Sequence, residues 1–248
     1  HDNANYGNLY RASSMTLPLQ TESLDAIITD PPYFDSVAYA DLSDFFYVWL
    51  KRSIGHLYPE HFSGQLTPKK NEAIMEPSRH GGDKQKAAQA YQDMMHKAFC
   101  EANRVLKNDG IIVVVYAHKT TAGWTTLIDS LRRAGFIITE AFPLDTEMAA
   151  RLRGQNSAAL ASSIFLIARK RNTSTVGDYA TDVQPLLKQI IQERVKTLME
   201  NAVSGADLVI ACVGAGLRAY TQYETVELPN GEELDASSFL DEVQKEVA

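Results

Sequence analysis

Three features of the sequence predict an α/β fold. Apolar runs of strand length alternate with longer segments whose apolar residues recur every three and four positions. Proline, glycine and asparagine punctuate the boundaries between them. The hydrophobic share, 45%, is that of an ordinary globular core. A strand, helix, strand, helix, strand order implies right-handed crossovers, a parallel sheet and helices on both faces. Ligands of such sheets bind beyond the carboxyl ends of the strands.

The first strand is the apolar run Leu24–Thr29, closed by Asp30-Pro31-Pro32-Tyr33, because proline removes donors and fixes φ. A helix follows, with Ala38, Leu42, Phe45, Phe46, Trp49 and Leu50 on one face and Gly55 at its end. Residues 55–83 have no clean period and read as a long loop or small irregular insert. A second helix covers 84–106, with Ala88, Tyr91, Met95, Ala98, Phe99, Ala102 and Val105 as its buried stripe, and Asn108-Asp109-Gly110 ends it. Residues 111–117 lack polar alternation, which predicts a strand buried on both faces. Residues 124–134 are helical and Gly135 caps them; 136–144 and 163–169 are two further strands joined by a wide hairpin. After Arg171 the texture changes. Residues 172–181 read as a polar linker, 183–202 as a helix, 206–220 as helical or extended, and 235–247 as an amphipathic helix. The expected division is a catalytic domain over 1–171 and a helical accessory region over 172–248.

Composition narrows the function classes. No apolar run approaches the roughly 20 residues of a membrane span, so no membrane partner is expected. Cys100 and Cys212 are too few for a zinc site or a disulfide framework, and a reducing cytoplasm is the expected compartment. The net charge of −7 weighs mildly against nucleic acid, but a local cluster of cations matters more than the sum. The chain opens at His1 without a leader, which reads as a cut end of something longer.

Asp30-Pro31-Pro32-Tyr33 is the sharpest motif. An aromatic exocyclic amine is a poor nucleophile, because its lone pair is delocalised into the ring. Two acceptors aimed at its two hydrogens draw the nitrogen toward tetrahedral geometry. The Asp30 carboxylate is one, and the Pro31 carbonyl, held by two rigid φ angles, is the natural second. Tyr33 can stack on a base that has left the duplex, with Phe34 and Tyr39 as further lining of the base pocket. Methyl transfer to such an amine needs positioning and preorganised electrostatics, without a nucleophilic triad or a metal.

Leu24-Asp25-Ala26-Ile27-Ile28-Thr29-Asp30-Pro31-Pro32-Tyr33 resembles the catalytic motif of amino-group DNA methyltransferases. The continuation from Phe34 through Ser43, Asp44, Phe45 and Phe46 resembles large adenine-specific DNA methylases with an inserted zinc ribbon, found in bacterial phage-defence loci. Tyr116-Ala117-His118-Lys119, Trp124, Ala159-Leu160-Ala161-Ser162-Ser163-Ile164 and the segment from Ser204 through Tyr223 resemble that family too. The resemblance covers nearly the whole chain. It implies a Rossmann-like methyltransferase sheet ending in an antiparallel hairpin, S-adenosylmethionine as cofactor, and DNA as substrate, methylated at adenine N6. It further implies Ala12, Ser13 and Asp30 as cofactor contacts, and as partners the upstream segment of the same protein or other defence-system subunits. The glycine-rich cofactor loop and the zinc-ribbon cysteines are not in this sequence, so the sheet is expected to be incomplete at its N-terminal side. The tetrapeptide alone does not separate adenine N6 from cytosine N4 or an RNA guanine N2, and a non-catalytic subunit of a defence complex is the alternative outside enzymology.

Weaker signals complete the reading. Lys51, Arg52, Lys69, Lys70, Arg79, His80, Lys84 and Lys86 cluster after the motif. Among them Lys69, Lys70, Arg79 and Lys84 are candidates for DNA phosphate contacts, against the plainer reading of a solvated loop. Val213-Gly214-Ala215-Gly216 is either a displaced cofactor loop or part of a buried helix starting near Ser204; no acidic partner for a ribose accompanies it, which favours the helix. Asp41 and Asp44 share a helix face and read as caps or solvated charges before acid–base groups. His118 falls at a strand's carboxyl end, where a structural role is the commoner one.

Overall fold

The computed structural model describes residues 7–35, 37–116, 121–145, 162–200 and 205–247. The chain divides into two compact units, residues 1–30 with 95–248, and residues 31–94.

The first unit is built on a four-stranded sheet. β1 (Leu24–Thr29) pairs in parallel with β2 (Leu106–Tyr116). The next strands in sequence are β3 (Phe136–Asp145) and β4 (Ser162–Lys170), and the sheet order is β1-β2-β4-β3. β4 is antiparallel to both of its neighbours, so β1, β2 and β3 point one way and β4 alone points the other. The parallel pairing expected from the strand–helix order holds for β1 and β2, and the antiparallel hairpin expected of the last two strands is formed by β3 and β4. Strands that are both consecutive in sequence and adjacent in the sheet readily take the antiparallel pairing, as the hairpin reading required.

β2 also begins earlier than its sequence suggests. Leu24 pairs with Leu106 and Ala26 with Ile111, so residues 107–110 bulge against Asp25 alone. Asn108-Asp109-Gly110 is therefore an irregularity inside a strand rather than the stop of a helix. Gly110 permits it, since a Cβ there would lie 2.9 Å from the Asp25 carbonyl oxygen. Beyond the bulge one face of β2 is fully buried through Ile112, Val114 and Tyr116, while the other face is half-buried. β1 is an edge strand, and Ile28 on it is 77% exposed.

α2 (Lys84–Val105) buries Tyr91, Met95, Phe99, Ala102 and Val105 as its periodicity predicts, while Ala87 is buried in place of Ala88 and Ala98 is half-buried. Its Glu101 accepts a hydrogen bond from Leu17 N at 2.7 Å, and Arg104 donates to the Leu17 and Leu19 carbonyls, which ties the segment before β1 to the helix. α3 (Thr121–Arg133) is closed by Gly135 at φ +83°, a conformation that favours glycine.

Residues 172–181 are not a bare linker. β5 (Val176–Asp178) pairs in parallel with β6 (Thr225–Glu227), and a π-helical turn at Tyr179–Val183 leads into α4 (Gln184–Glu200). The polar residues here cap rather than solvate: Asp178 accepts from Thr181 N at 2.8 Å. α5 (Gly205–Thr221) and α6 (Ala236–Val247) are helical throughout. α5 packs on β3, where Ile138 N donates to the Thr221 hydroxyl at 2.9 Å, satisfying a donor beside the β3 register shift. Arg132 on α3 is 4% exposed, donates to the Glu224 carbonyl and Glu233 carboxylate, and lies 4.8 Å over the Tyr220 ring. Burial beside it pushes the Asp129 carboxyl up. Residues 172–248 thus fold within the same compact unit as the sheet.

The second unit holds α1 (Tyr39–Ile54), a 3-10 turn at Pro77–His80 and the start of α2. α1 contains no buried residue. Of the apolar stripe read from the sequence, Ala38 is half-buried and Leu42, Phe45, Phe46, Trp49 and Leu50 are exposed, as is Tyr39 at the start of the helix. Its polar residues take the hydrogen bonds of the loop over residues 61–80, and that leaves the stripe uncovered.

Candidate active site

β1 ends at Thr29, opposite Val114, two residues before β2 ends at Tyr116, and Asp30 is exposed at that carboxyl end. Tyr116, the last residue of β2, is buried edge-on against Trp124, and its hydroxyl donates to the Gly123 carbonyl at 3.2 Å. Both family-like aromatics are therefore packing residues. His118 and residues 159–161 lie outside the described residues.

Within the second unit the motif is held from behind. Pro31 is buried, and Pro32 and Tyr33 are half-buried. The Tyr91 hydroxyl donates to the Pro32 carbonyl at 2.7 Å. Phe34 is 8% exposed, its ring edge-on to Tyr91 at 5.2 Å, and its carbonyl accepts from Met75 N at 2.8 Å. Phe34 is thus a packing anchor of this unit and not an open base-lining residue. Tyr39, the first residue of α1, is 57% exposed.

The loop after α1 is clasped to that helix by charge. Lys69 donates to Asp44 at 2.7 Å, and Thr67 N donates to the same carboxylate at 3.0 Å. The Lys69 hydrogen bond first, then those of Thr67, pull the Asp44 carboxyl down to about 2. Arg79 donates to Glu72 at 2.6 Å and to Asp41 at 2.9 Å, and Glu72 in turn accepts from Ala40 N at 2.9 Å. This corrects the expectation that all four candidate cations face phosphate: Lys69 and Arg79 are engaged by three carboxylates, while Lys70 and Lys84 are exposed. Asp41 and Asp44 are structural partners of that loop.

Ala12 and Ser13 are exposed in a turn in which Met15 N donates to the Ser13 hydroxyl at 3.2 Å. Gly214 and Gly216 lie inside α5 and form no loop. A Cβ on Gly214 would collide with Ala141 of β3, and one on Gly216 would lie 2.9 Å from Leu187 and 3.1 Å from Val243. These glycines serve close packing, and the displaced cofactor-loop reading is set aside.

Sequence reasoning missed Tyr91, Met75 and Glu72. Tyr91 was legible only as one apolar position in a helical stripe, although a buried tyrosine hydroxyl needs a partner. No group of three or more metal-ligating side chains occurs among the described residues. No helix among them is long and apolar enough to cross a membrane.

The family model of N6/N4 DNA methylases, described as DNA methylase, matches residues 24–230. The chain belongs to the DNA methylase family. The match begins at β1 and takes in Asp30 to Tyr33, the clasped loop and the sheet. S-adenosylmethionine is the methyl donor of that family. No curated protein matches this methylase. A structure of a protein assigned as a DNA modification methylase from Thermus thermophilus is 13% identical over 93% of this chain and 90% of that one, with a TM-score of 0.33. The same protein complexed with S-adenosylmethionine gives 14% identity, the same coverage and a TM-score of 0.33.

Proposed function

We propose that this DNA methylase transfers a methyl group from S-adenosylmethionine to adenine N6, with Asp30, Pro31, Pro32 and Tyr33 as the catalytic segment. The observation that carries the reading is the state of the motif: an exposed carboxylate at a strand's carboxyl end, followed by a proline segment whose second carbonyl is already taken by Tyr91. Asp30 stands at the carboxyl end of a parallel strand pair, where ligands of such sheets bind, and this supports a place for the cofactor beside it. When bound, S-adenosylmethionine supplies an electrophilic methyl on a positively charged sulfur. The Asp30 carboxylate and the Pro31 carbonyl accept the two amine hydrogens and localise the nitrogen lone pair toward that methyl. Asp30 takes up the proton released as the new nitrogen–carbon bond forms. Tyr33 stacks on the extruded base and keeps its amine in reach.

Adenine is preferred over cytosine on the resemblance of residues 34–46 to adenine-specific methylases. With that resemblance come Ala12 and Ser13 as cofactor contacts, and a phage-defence setting with further subunits or an upstream segment as partners. DNA phosphates are met by Lys70 and Lys84.

Incubating the protein with unmethylated DNA and labelled S-adenosylmethionine, then analysing nucleosides by mass spectrometry, tests the reading. N6-methyldeoxyadenosine is the expected product. N4-methyldeoxycytidine would move the assignment to the other amine. Asp30→Ala and Tyr33→Ala are expected to lower turnover about a hundredfold or more, and near wild-type turnover in either would overturn the catalytic segment.

A further inference from the structure

We infer that Tyr91 is a positioning residue for methyl transfer: its hydroxyl fixes the Pro32 carbonyl and so presents the Pro31 carbonyl, rather than that of Pro32, to the amine. The inference rests on the proposed catalytic segment and adds a residue outside it.

The argument begins with how many carbonyls the motif offers. Pro31, Pro32, Tyr33 and Phe34 are consecutive, and the carbonyls of Pro32 and Phe34 each accept a hydrogen bond from their own unit. Tyr91 donates to Pro32 at 2.7 Å, and Met75 N donates to Phe34 at 2.8 Å. A carbonyl accepting a short hydrogen bond from a buried phenol has one lone pair engaged and its plane set by that bond, so it is less free than its neighbour to turn to a ligand amine. The Pro32 bond fixes the peptide plane between Pro32 and Tyr33, the one that carries the stacking ring.

Tyr91 is built for this role. It is 1% exposed and sits on a long helix, so its ring has little freedom to follow a moving loop. The Phe34 ring meets it edge-on at 89°, which fixes the direction in which the hydroxyl points. Without this donor the half-buried Pro32 carbonyl would turn toward water, and the turn would drag Tyr33 with it. Misplacement of a reacting group by about 1 Å is enough to cost roughly a hundredfold in rate.

Pro32-Tyr33 is the only Pro–Tyr pair in the sequence. Labelling proline with carbonyl 13C and tyrosine with amide 15N therefore gives one correlated NMR signal, that of the Pro32 carbonyl. The test compares wild type, Tyr91→Phe, and Phe99→Leu, a control that removes packing from the same helix two turns away. For Tyr91→Phe the expected result is a kcat lower by roughly tenfold to a hundredfold, KM for S-adenosylmethionine and for DNA within about twofold, and an upfield move of the Pro32 signal. Phe99→Leu is expected to lower Tm while leaving that signal and kcat in place. Wild-type kcat in Tyr91→Phe, or a loss of kcat with an unmoved Pro32 signal, overturns the inference. If Tyr91→Phe does not fold, the wild-type signal decides: it is expected downfield of its position in the urea-unfolded chain, and coincidence of the two overturns the inference. Failure of the wild type to methylate any base removes the proposed function, whereas a methylating wild type with an indifferent Tyr91→Phe removes only the role of Tyr91.

Discussion

Asp44 and Lys69 behave as a pair because each is placed by something else: Asp44 by α1 and Lys69 by the turn through Thr67. The Asp44 carboxyl titrates at about 2 instead of its ordinary 3.8. A depressed carboxylate contributes stability above its unfolded value and loses it as pH falls through the folded one. Asp44→Asn is therefore expected to lower Tm at neutral pH, and the two melting curves should converge as pH falls from about 4 toward 2. Parallel curves down to pH 2 would show that Lys69 does not stabilise the charge. The same reasoning separates the cations. Lys70→Ala and Lys84→Ala are each expected to reduce the salt slope of DNA binding by about one. Lys69→Ala and Arg79→Ala should move Tm and leave the slope nearly unchanged, which a salt titration of binding checks. None of this was legible in a one-dimensional pattern. Lys69 and Lys70 are neighbours with the same chemistry, and only partners 25 and 38 residues away, Asp44 for Lys69 and Asp41 for Arg79, distinguish engaged cations from exposed ones.

The elements themselves were largely legible, because each is written in local periodicity. β1, α1, α2 and α6 fall within a residue or two of their expected ends. The misses share one cause, which is that the deciding contact is distant in sequence. Asn108-Asp109-Gly110 carries a helix-stop signal, yet pairing with β1 extends the strand through it. The glycines of α5 were read, correctly, as part of a buried helix, and they are there because β3 and α4 come close. Gly214→Ala places a methyl against Ala141, with backbone atoms of that residue within 3.3 Å. Overpacking of about 1–3 kcal/mol exceeds the roughly 1 kcal/mol that alanine gains over glycine in a helix. Gly214→Ala is therefore expected to lower Tm by several degrees. At Gly216 the nearest atoms are ends of the Leu187 and Val243 side chains, which can give way, so Gly216→Ala should be close to neutral. Cofactor affinity, measured calorimetrically below the melting range, is expected to be unchanged in both. A selective loss of affinity would return these glycines to the cofactor.

At the scale of the molecule, the tetrapeptide proposed as catalytic was read directly from sequence, whereas its contact with Tyr91 was not, since Tyr91 is written as one more apolar position of a helix. The exposed side of β1 has a measurable consequence. An edge strand carrying Ile28 at 77% exposure is a template for pairing with another chain. Ile28→Lys in this chain is expected to suppress concentration-dependent association seen by light scattering, and undiminished association would locate the sticky surface elsewhere. The order β1-β2-β4-β3 has another consequence, in time rather than in space. β3 is synthesised before β4, yet its only neighbour in the sheet is β4. On the ribosome, then, β3 emerges with no strand to receive it, and the sheet closes only when residues 162–170 have cleared the exit tunnel. A nascent chain stalled before that point should pull weakly on an arrest peptide, and one stalled just after it should pull hard, marking the moment at which the last strand slots between two that were already waiting.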